Sequence, residues 1–235
     1  MFIKNWKLAL LALLFFILFT SLGTWQVLRA QQKKVLLQQL AERRLHAPLT
    51  ANVLTPSGDW RFHQATLSGH FDNTHTLLLD NKTFHGRVGY EVYTPFYAQG
   101  LVTPILVDRG FVPLGNSRKQ LPAIKAIAGK VTIMGLLNTP PTYVALGQMQ
   151  DAARLSWPLR VEFINLKQLT TLLDTPLFPY LFTLDPKDPA AYPLEWQAVT
   201  MGPERHIGYA LQWFALALTL LILFFVLNRR PITYQ

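Results

Sequence analysis

The chain has 235 residues, a formal net charge of +9, a hydrophobic share of 50% and no cysteine. The missing thiols exclude disulfides, cysteine-ligated metal sites and thiol catalysis. The positive charge lacks the basic, aromatic-interleaved soluble face that a nucleic-acid binder needs.

The first predicted element is an apolar run from Leu8 to Leu28, broken by Thr20, Ser21, Gly23, Thr24 and Gln26. Its 21 residues carry no charge and reach roughly 30 Å as a helix, the thickness of a bilayer's hydrocarbon. A cleaved signal peptide would have a shorter apolar region and a small-residue cleavage site. Ser21-Leu22-Gly23-Thr24-Trp25-Gln26 is a poor site of that kind, so an uncleaved anchor is expected. Arg29 to Leu45 has neither Gly nor Pro and reads as the same helix continuing out of the bilayer, with Pro48 ending it.

Strand signals follow. Ala65, Leu67, Gly69 and Phe71 alternate with polar residues. Leu77-Leu78-Leu79 is a short run closed by Asp80-Asn81-Lys82. Further strands are expected at Tyr90–Phe96, Ile105–Pro113, Lys130–Leu137 and Tyr180–Leu184. One short helix is expected over Leu166–Leu173, capped by Asn165. Residues 138–142 and 185–193 read as Pro-rich loops. Short strands spaced by Gly and Pro turns predict an antiparallel sheet closed as a barrel.

The last element is a second uncharged apolar run, Ile207–Leu227, entered by Glu204-Arg205-His206. The fold class is therefore a membrane-anchored α+β protein, with a hairpin of two transmembrane helices flanking a β-barrel-like domain outside the membrane. The expected division is a tail at 1–7, a span at 8–28, a domain at 29–205, a span at 206–227 and a tail at 228–235. All 13 acidic residues and 18 of the 22 Lys and Arg lie between the runs, leaving about +5 there. Lys4, Lys7, Arg229 and Arg230 favour tails in the cytoplasm, while Arg29, Lys33, Lys34, Arg43 and Arg44 pull the other way. Long loops cross a membrane largely regardless of charge, so the tails decide. That places the domain in a periplasm and the basic cluster against lipid headgroups. With no room for a transit peptide before the first run, a bacterial inner membrane is the expected location.

Four segments carry a resemblance. They are Leu22-Gly23-Thr24-Trp25-Gln26-Val27-Leu28-Arg29, Gly86-Arg87-Val88-Gly89-Tyr90-Glu91-Val92-Tyr93-Thr94-Pro95-Phe96, Leu106-Val107-Asp108-Arg109-Gly110-Phe111-Val112-Pro113, and His206-Ile207-Gly208-Tyr209-Ala210-Leu211-Gln212-Trp213-Phe214 with Ala215-Leu216-Ala217. In this order, between two spans, they resemble the Surfeit locus protein 1 family of cytochrome c oxidase assembly factors. Two positions depart from the family's pattern: Phe111 stands where Trp is usual, and Glu204 where Asn is frequent. The resemblance implies a non-enzymatic chaperone that helps mature subunit I of a respiratory-chain oxidase. It implies haem a as the cofactor, and haem a synthase as a further candidate partner.

The residues themselves leave alternatives open. His206 is a suitable axial ligand for haem iron, with Tyr209, Ala210 and Trp213 at helical spacing around it. On the residues alone an interfacial belt of His, Tyr and Trp with no ligand is the favoured reading, and the resemblance reverses that in favour of the ligand. Trp25 and Arg29 share a face of the first helix, and Arg29 could pair with a haem propionate or snorkel to headgroups. His63, His70, His75 and His85 read as solvated histidines rather than a copper site, and no free metal is expected. Asp108 and Arg109 read as a structural pair pinning the barrel, ahead of the alternative that they form part of a docking surface. No esterase elbow, zinc-protease motif or phosphate loop is present, so the chain does not read as an enzyme. A cofactor-free scaffold for a subunit I intermediate remains the alternative to a haem carrier.

Overall fold

The computed structural model describes residues 6–115, 118, 120–140, 149, 156–195 and 201–228. The chain divides into two compact units, Met1–Gln39 with Gln197–Gln235, and Leu40–Trp196.

The first unit is a helix pair. Helix α1 spans Trp6–Arg44 and runs without a break from the apolar run into the stretch after it, as the absence of Gly and Pro there predicts. Helix α3 spans Pro203–Asn228 and starts three residues before His206. Both are long and apolar enough to cross a membrane, with mean hydropathy of 2.2 and 2.4 over their apolar windows. Only 6% and 11% of those windows are buried, whereas the core helix of a soluble protein is mostly buried. Leu14, Ile17, Leu211 and Leu218 stand 53–71% exposed, a surface suited to lipid. Hydroxyls inside the spans donate back to their own helix: Thr20 to Phe16 O (2.8 Å), Thr24 to Thr20 O (2.9 Å) and Thr219 to Ala215 O (2.8 Å). Each of these three hydroxyls thus has an acceptor within its own helix.

The second unit is built on eight strands: β1 Leu49–Thr50, β2 Gln64–Phe71, β3 Leu77–Phe84, β4 Arg87–Ala98, β5 Ile105–Pro113, β6 Val131–Asn138, β7 Leu159–Val161 and β8 Leu181–Leu184. Five of them close a ring in the order β2-β6-β8-β5-β4 and back to β2. Strand β4 makes this possible by its length. Its first half pairs with β3, and its last residues, Phe96–Ala98, pair with Gly69–Phe71 of β2. Closure removes exposed sheet edges within the ring.

The sheet differs from a purely antiparallel one. The pairs β1–β2, β3–β7 and β5–β8 are parallel. Between β5 and β8 the chain makes the long crossover that parallel neighbours require. The Leu77 run also continues to Phe84, because the polar half beginning at Asp80 pairs with β4 across a register shift. Strands β1 and β7 are two and three residues long, too short to show a period.

All five ring strands supply the interior core: Ala65, Leu67, Phe96, Ile105, Val107, Ile133, Leu137 and Phe182 are among its residues. A second core lies on the other face, where β3, β7 and helix α2 (Leu166–Leu173) pack Leu77, Leu79, Leu106, Val161, Leu169 and Leu181. Strand β5 contributes to both, which is why its residues from Ile105 to Phe111 are buried in succession rather than in alternation. Helix α2 begins where expected. The Asn165 side chain accepts from the backbone N–H groups of Lys167 (3.0 Å) and Gln168 (3.2 Å). Replacing Asn165 with Ala is expected to cost about 1 kcal/mol, read as a lowered Tm of the full chain, because two amides lose their acceptor.

Candidate functional site

The helix pair builds the site from a matched pair of stripes. On α1, Phe19, Gly23, Gln26 and Ala30 recur at spacings of four, three and four. On α3, His206, Ala210, Trp213 and Ala217 do the same. Gly23, Ala30, Ala210 and Ala217 are buried, so small side chains let the helices approach. A Cβ added at Gly23 would stand 2.7 Å from the Phe214 ring. The helices run antiparallel through Phe19 against Trp213 (5.8 Å between rings, 29°) and Gln26 against His206.

His206 is 9% exposed. Its Nδ1 stands 2.6 Å from Gln26 Oε1. The amide oxygen accepts, so Nδ1 carries the hydrogen, and Nε2 is the ring nitrogen left for a ligand. Two residues on, a Cβ added at Gly208 meets nothing within 4 Å, so open space borders the helix there. Gly208 faces away from the imidazole, so what supports a haem at His206 is its donor chemistry: one ring nitrogen committed to Gln26 and one that could ligate iron. Such a group would bring a redox-active iron and a flat apolar ring to this face.

The other candidate residues are placed less uniformly. Trp213 joins the stripe, but one face of its ring is stacked on Phe19. Tyr209 and Trp25 lie off the stripe at 45% and 48% exposure. Arg29 donates to Gln32 Oε1 (3.0 Å), and its guanidinium lies 5.5 Å from the centre of the Trp25 ring. The residue that faces His206 on α1 is thus Gln26, not Trp25 or Arg29. Sequence reading passed over it as an interruption in an apolar run. The available signal was that a polar side chain in a span needs a partner. A separate 540 Å³ cleft in this unit, lined by residues including Trp6, Leu13, Phe16, Leu221 and Phe224, has no charged lining side chain.

In the barrel the histidines have separate surroundings. His70 stacks on Tyr97 across the β2–β4 seam (5.3 Å, 10°). His75 Nδ1 is 2.6 Å from Asp72 Oδ2, and His85 Nε2 is 3.9 Å from Glu195. His63 lies beside His46, 6.4 Å between rings. Among the described residues, no three His, Asp or Glu side chains form a metal-holding group.

Asp108 and Arg109 are not a pair. A register shift opposite Val92 and Tyr93 leaves Arg109 without a cross-strand partner, as in a bulge. Arg109 is 2% exposed and donates through Nε to Ala190 O (3.2 Å) and through a terminal nitrogen to Lys125 O (3.0 Å). It thereby ties two loops to β5, and desolvation lowers its pKa. Asp108 accepts instead from the Gly110 amide (3.0 Å) and lies 3.5 Å from the Thr183 hydroxyl. Burial first, and then the nearby Glu91 carboxylate, push its pKa up to about 7.

The chain is similar to proteins from distant organisms. It is 25% identical over 225 residues to a SURF1-like protein of Monosiga brevicollis, covering 89% of this chain and 83% of that one. A SURF1-like protein of the bacterium Rickettsia felis is 25% identical across 97% of this chain and 99% of its own. The cytochrome oxidase assembly protein SHY1 of Saccharomyces cerevisiae is 29% identical over 94 residues, 39% of this chain and 24% of the yeast protein. The family model for SURF1 matches residues 13–218, which take in the whole barrel and most of both helices, and the chain therefore belongs to the SURF1 family.

Proposed function

We propose that this protein is an assembly factor for a haem-copper cytochrome c oxidase, and that it binds haem a on its helix pair and assists its insertion into subunit I. The family and the yeast relative's role in oxidase assembly support the assembly part. The observation that carries the haem part is His206, buried to 9% exposure with one nitrogen committed to Gln26 and one available.

In this reading His206 Nε2 ligates the iron. Trp25 and Tyr209 offer apolar ring surface beside it, and Trp213 offers the face not covered by Phe19. Arg29 gives up its hydrogen bond to neutral Gln32 for a haem propionate, a charge-assisted bond worth roughly twice a neutral one. The chain holds and passes on the group without chemistry of its own, which makes it a carrier and not an enzyme. Its partners are subunit I, membrane lipid and, upstream, haem a synthase. The full-length match to a bacterial relative and the charged tails support a multi-pass protein of the bacterial inner membrane. Both termini are then cytoplasmic and the barrel periplasmic.

The test is the absorption spectrum of full-length protein purified from cells that make haem a. Wild type is expected to show a Soret band, and His206→Ala to lose it at least roughly 10-fold, as loss of an axial ligand implies. A wild-type preparation free of haem overturns the carrier. A second reading, a cofactor-free scaffold for a subunit I intermediate, draws on contacts that need no cofactor: Trp213 on Phe19 and Arg29 on Gln32. It predicts co-purification with subunit I that survives His206→Ala.

A further inference from the structure

We infer that Gln26 is the positioning residue of this site. It holds His206 in the tautomer that carries its hydrogen on Nδ1, so that Nε2 presents its lone pair to an incoming metal centre. The inference rests on the haem reading for its purpose, but not for its geometry.

A neutral imidazole carries one N–H, and only the bare nitrogen can ligate. Free in water, a histidine side chain exchanges between its two tautomers. His206 is 9% exposed, so water competes little for its nitrogens. The Gln26 Oε1 at 2.6 Å rewards only the form with hydrogen on Nδ1. The imidazole is thereby set before any ligand arrives, and its ring plane is fixed as well as its tautomer.

The choice of an amide also has a physical reason. Ligating histidines commonly donate to a carboxylate, a backbone carbonyl or water. Gln26 sits in the uncharged run that ends at Leu28, where a carboxylate would be costly. A backbone carbonyl is not free there, because those of a continuous helix accept from their own chain. A glutamine supplies the acceptor without charge. A neutral acceptor also raises the basicity of the imidazole less than a carboxylate does. That is compatible with a cargo that must be released.

The experiment uses the full chain in detergent, with ¹⁵N-labelled histidine, before any haem is added. Wild type is expected to show His206 with Nδ1 protonated and Nε2 bare. In Gln26→Met, close in volume but without an acceptor, the two assignments should exchange. The resonance is identified by its loss in His206→Ala. Wild type with hydrogen on Nε2, or Gln26→Met still protonated on Nδ1, overturns the inference. Gln26→Glu keeps an acceptor should Gln26→Met fail to fold, and it should retain the wild-type tautomer; exchange there also overturns it.

With haem a added, Gln26→Met should bind roughly 10–100-fold more weakly, the usual consequence of losing such a partner. Gln26→Glu should bind haem with a lower midpoint potential than wild type. Equal affinities in wild type and Gln26→Met, or equal potentials in wild type and Gln26→Glu, overturn the positioning role. If wild type takes up no haem while the tautomer follows Gln26, the carrier reading fails and the positioning of His206 stands.

Discussion

Gly69→Val is expected to abolish the cooperative unfolding transition of the barrel. Gly69 lies in the seam where β2 meets two neighbours, opposite Val131 of β6 and Ala98 of β4. A Cβ there would stand 2.0 Å from Tyr97 O and 2.9 Å from Ala98 Cα. These are backbone atoms of the strand that closes the ring, so no side-chain rotation relieves the clash. Valine must push β4 away, and the Gly69–Phe71 pairing with Phe96–Ala98 goes with it, opening the core that Phe71 and Phe96 share at 4.8 Å. The cost should exceed about 4 kcal/mol, against a typical domain stability of about 5–15 kcal/mol. Near-ultraviolet circular dichroism and protease resistance of the full chain measure it. Gly115→Ala, where an added Cβ meets nothing within 4 Å, serves as the neutral control. A Gly69→Val melting curve superimposable on the wild type would mean that β4 does not close the barrel.

The barrel is also expected to lose stability as pH rises from about 4 to 7, and Asp108→Asn should remove that loss. Asp108 has its pKa pushed up to about 7 by burial and then by Glu91. The folded state therefore keeps this proton to about pH 7, while the unfolded chain releases it near the ordinary carboxylate value. Between those limits the folded state holds more protons, so stability falls by up to about 1.4 kcal/mol per pH unit. The contribution is fully present below the unfolded value and gone above the folded one. Asp72 and Asp59 have lowered values, through hydrogen bonds to Thr74 and His75 and to Arg43 respectively. Their stabilisation is lost only on further acidification, outside that window. Asparagine keeps an acceptor for the Gly110 amide and adds no charge. Urea midpoints from pH 4.5 to 8 should fall for wild type and stay level for Asp108→Asn. A wild-type profile that is flat over this range would contradict the burial of an uncompensated carboxyl.

Local order read from local residues was the most legible part. Uncharged runs of bilayer length are helices at both ends. Asn165 caps α2 through two backbone amides, and β5 spans Ile105–Pro113 as expected. Pairing partners were less legible, because a register is decided by residues far away in the chain. Nothing near Leu181 announces that it lies parallel to Leu106, and the two-residue β1 exists only because β2 is beside it. The polar half of β3 resembled a turn, since a strand's exposed half has no apolar period.

The candidate site divides along the same line. The chain by itself determined that His206 enters an apolar helix and that Trp25, Arg29, Tyr209 and Trp213 lie near the same ends of the two runs. A helical period fixes which residues share a face of one helix, and no more. Which face of α1 meets which face of α3 depends on close packing of Gly23, Ala30, Ala210 and Ala217. That packing, decided only in three dimensions, turned Gln26 toward His206 and left Trp25 and Tyr209 half exposed, while in the barrel the register shift between β4 and β5 set Asp108 and Arg109 in separate surroundings.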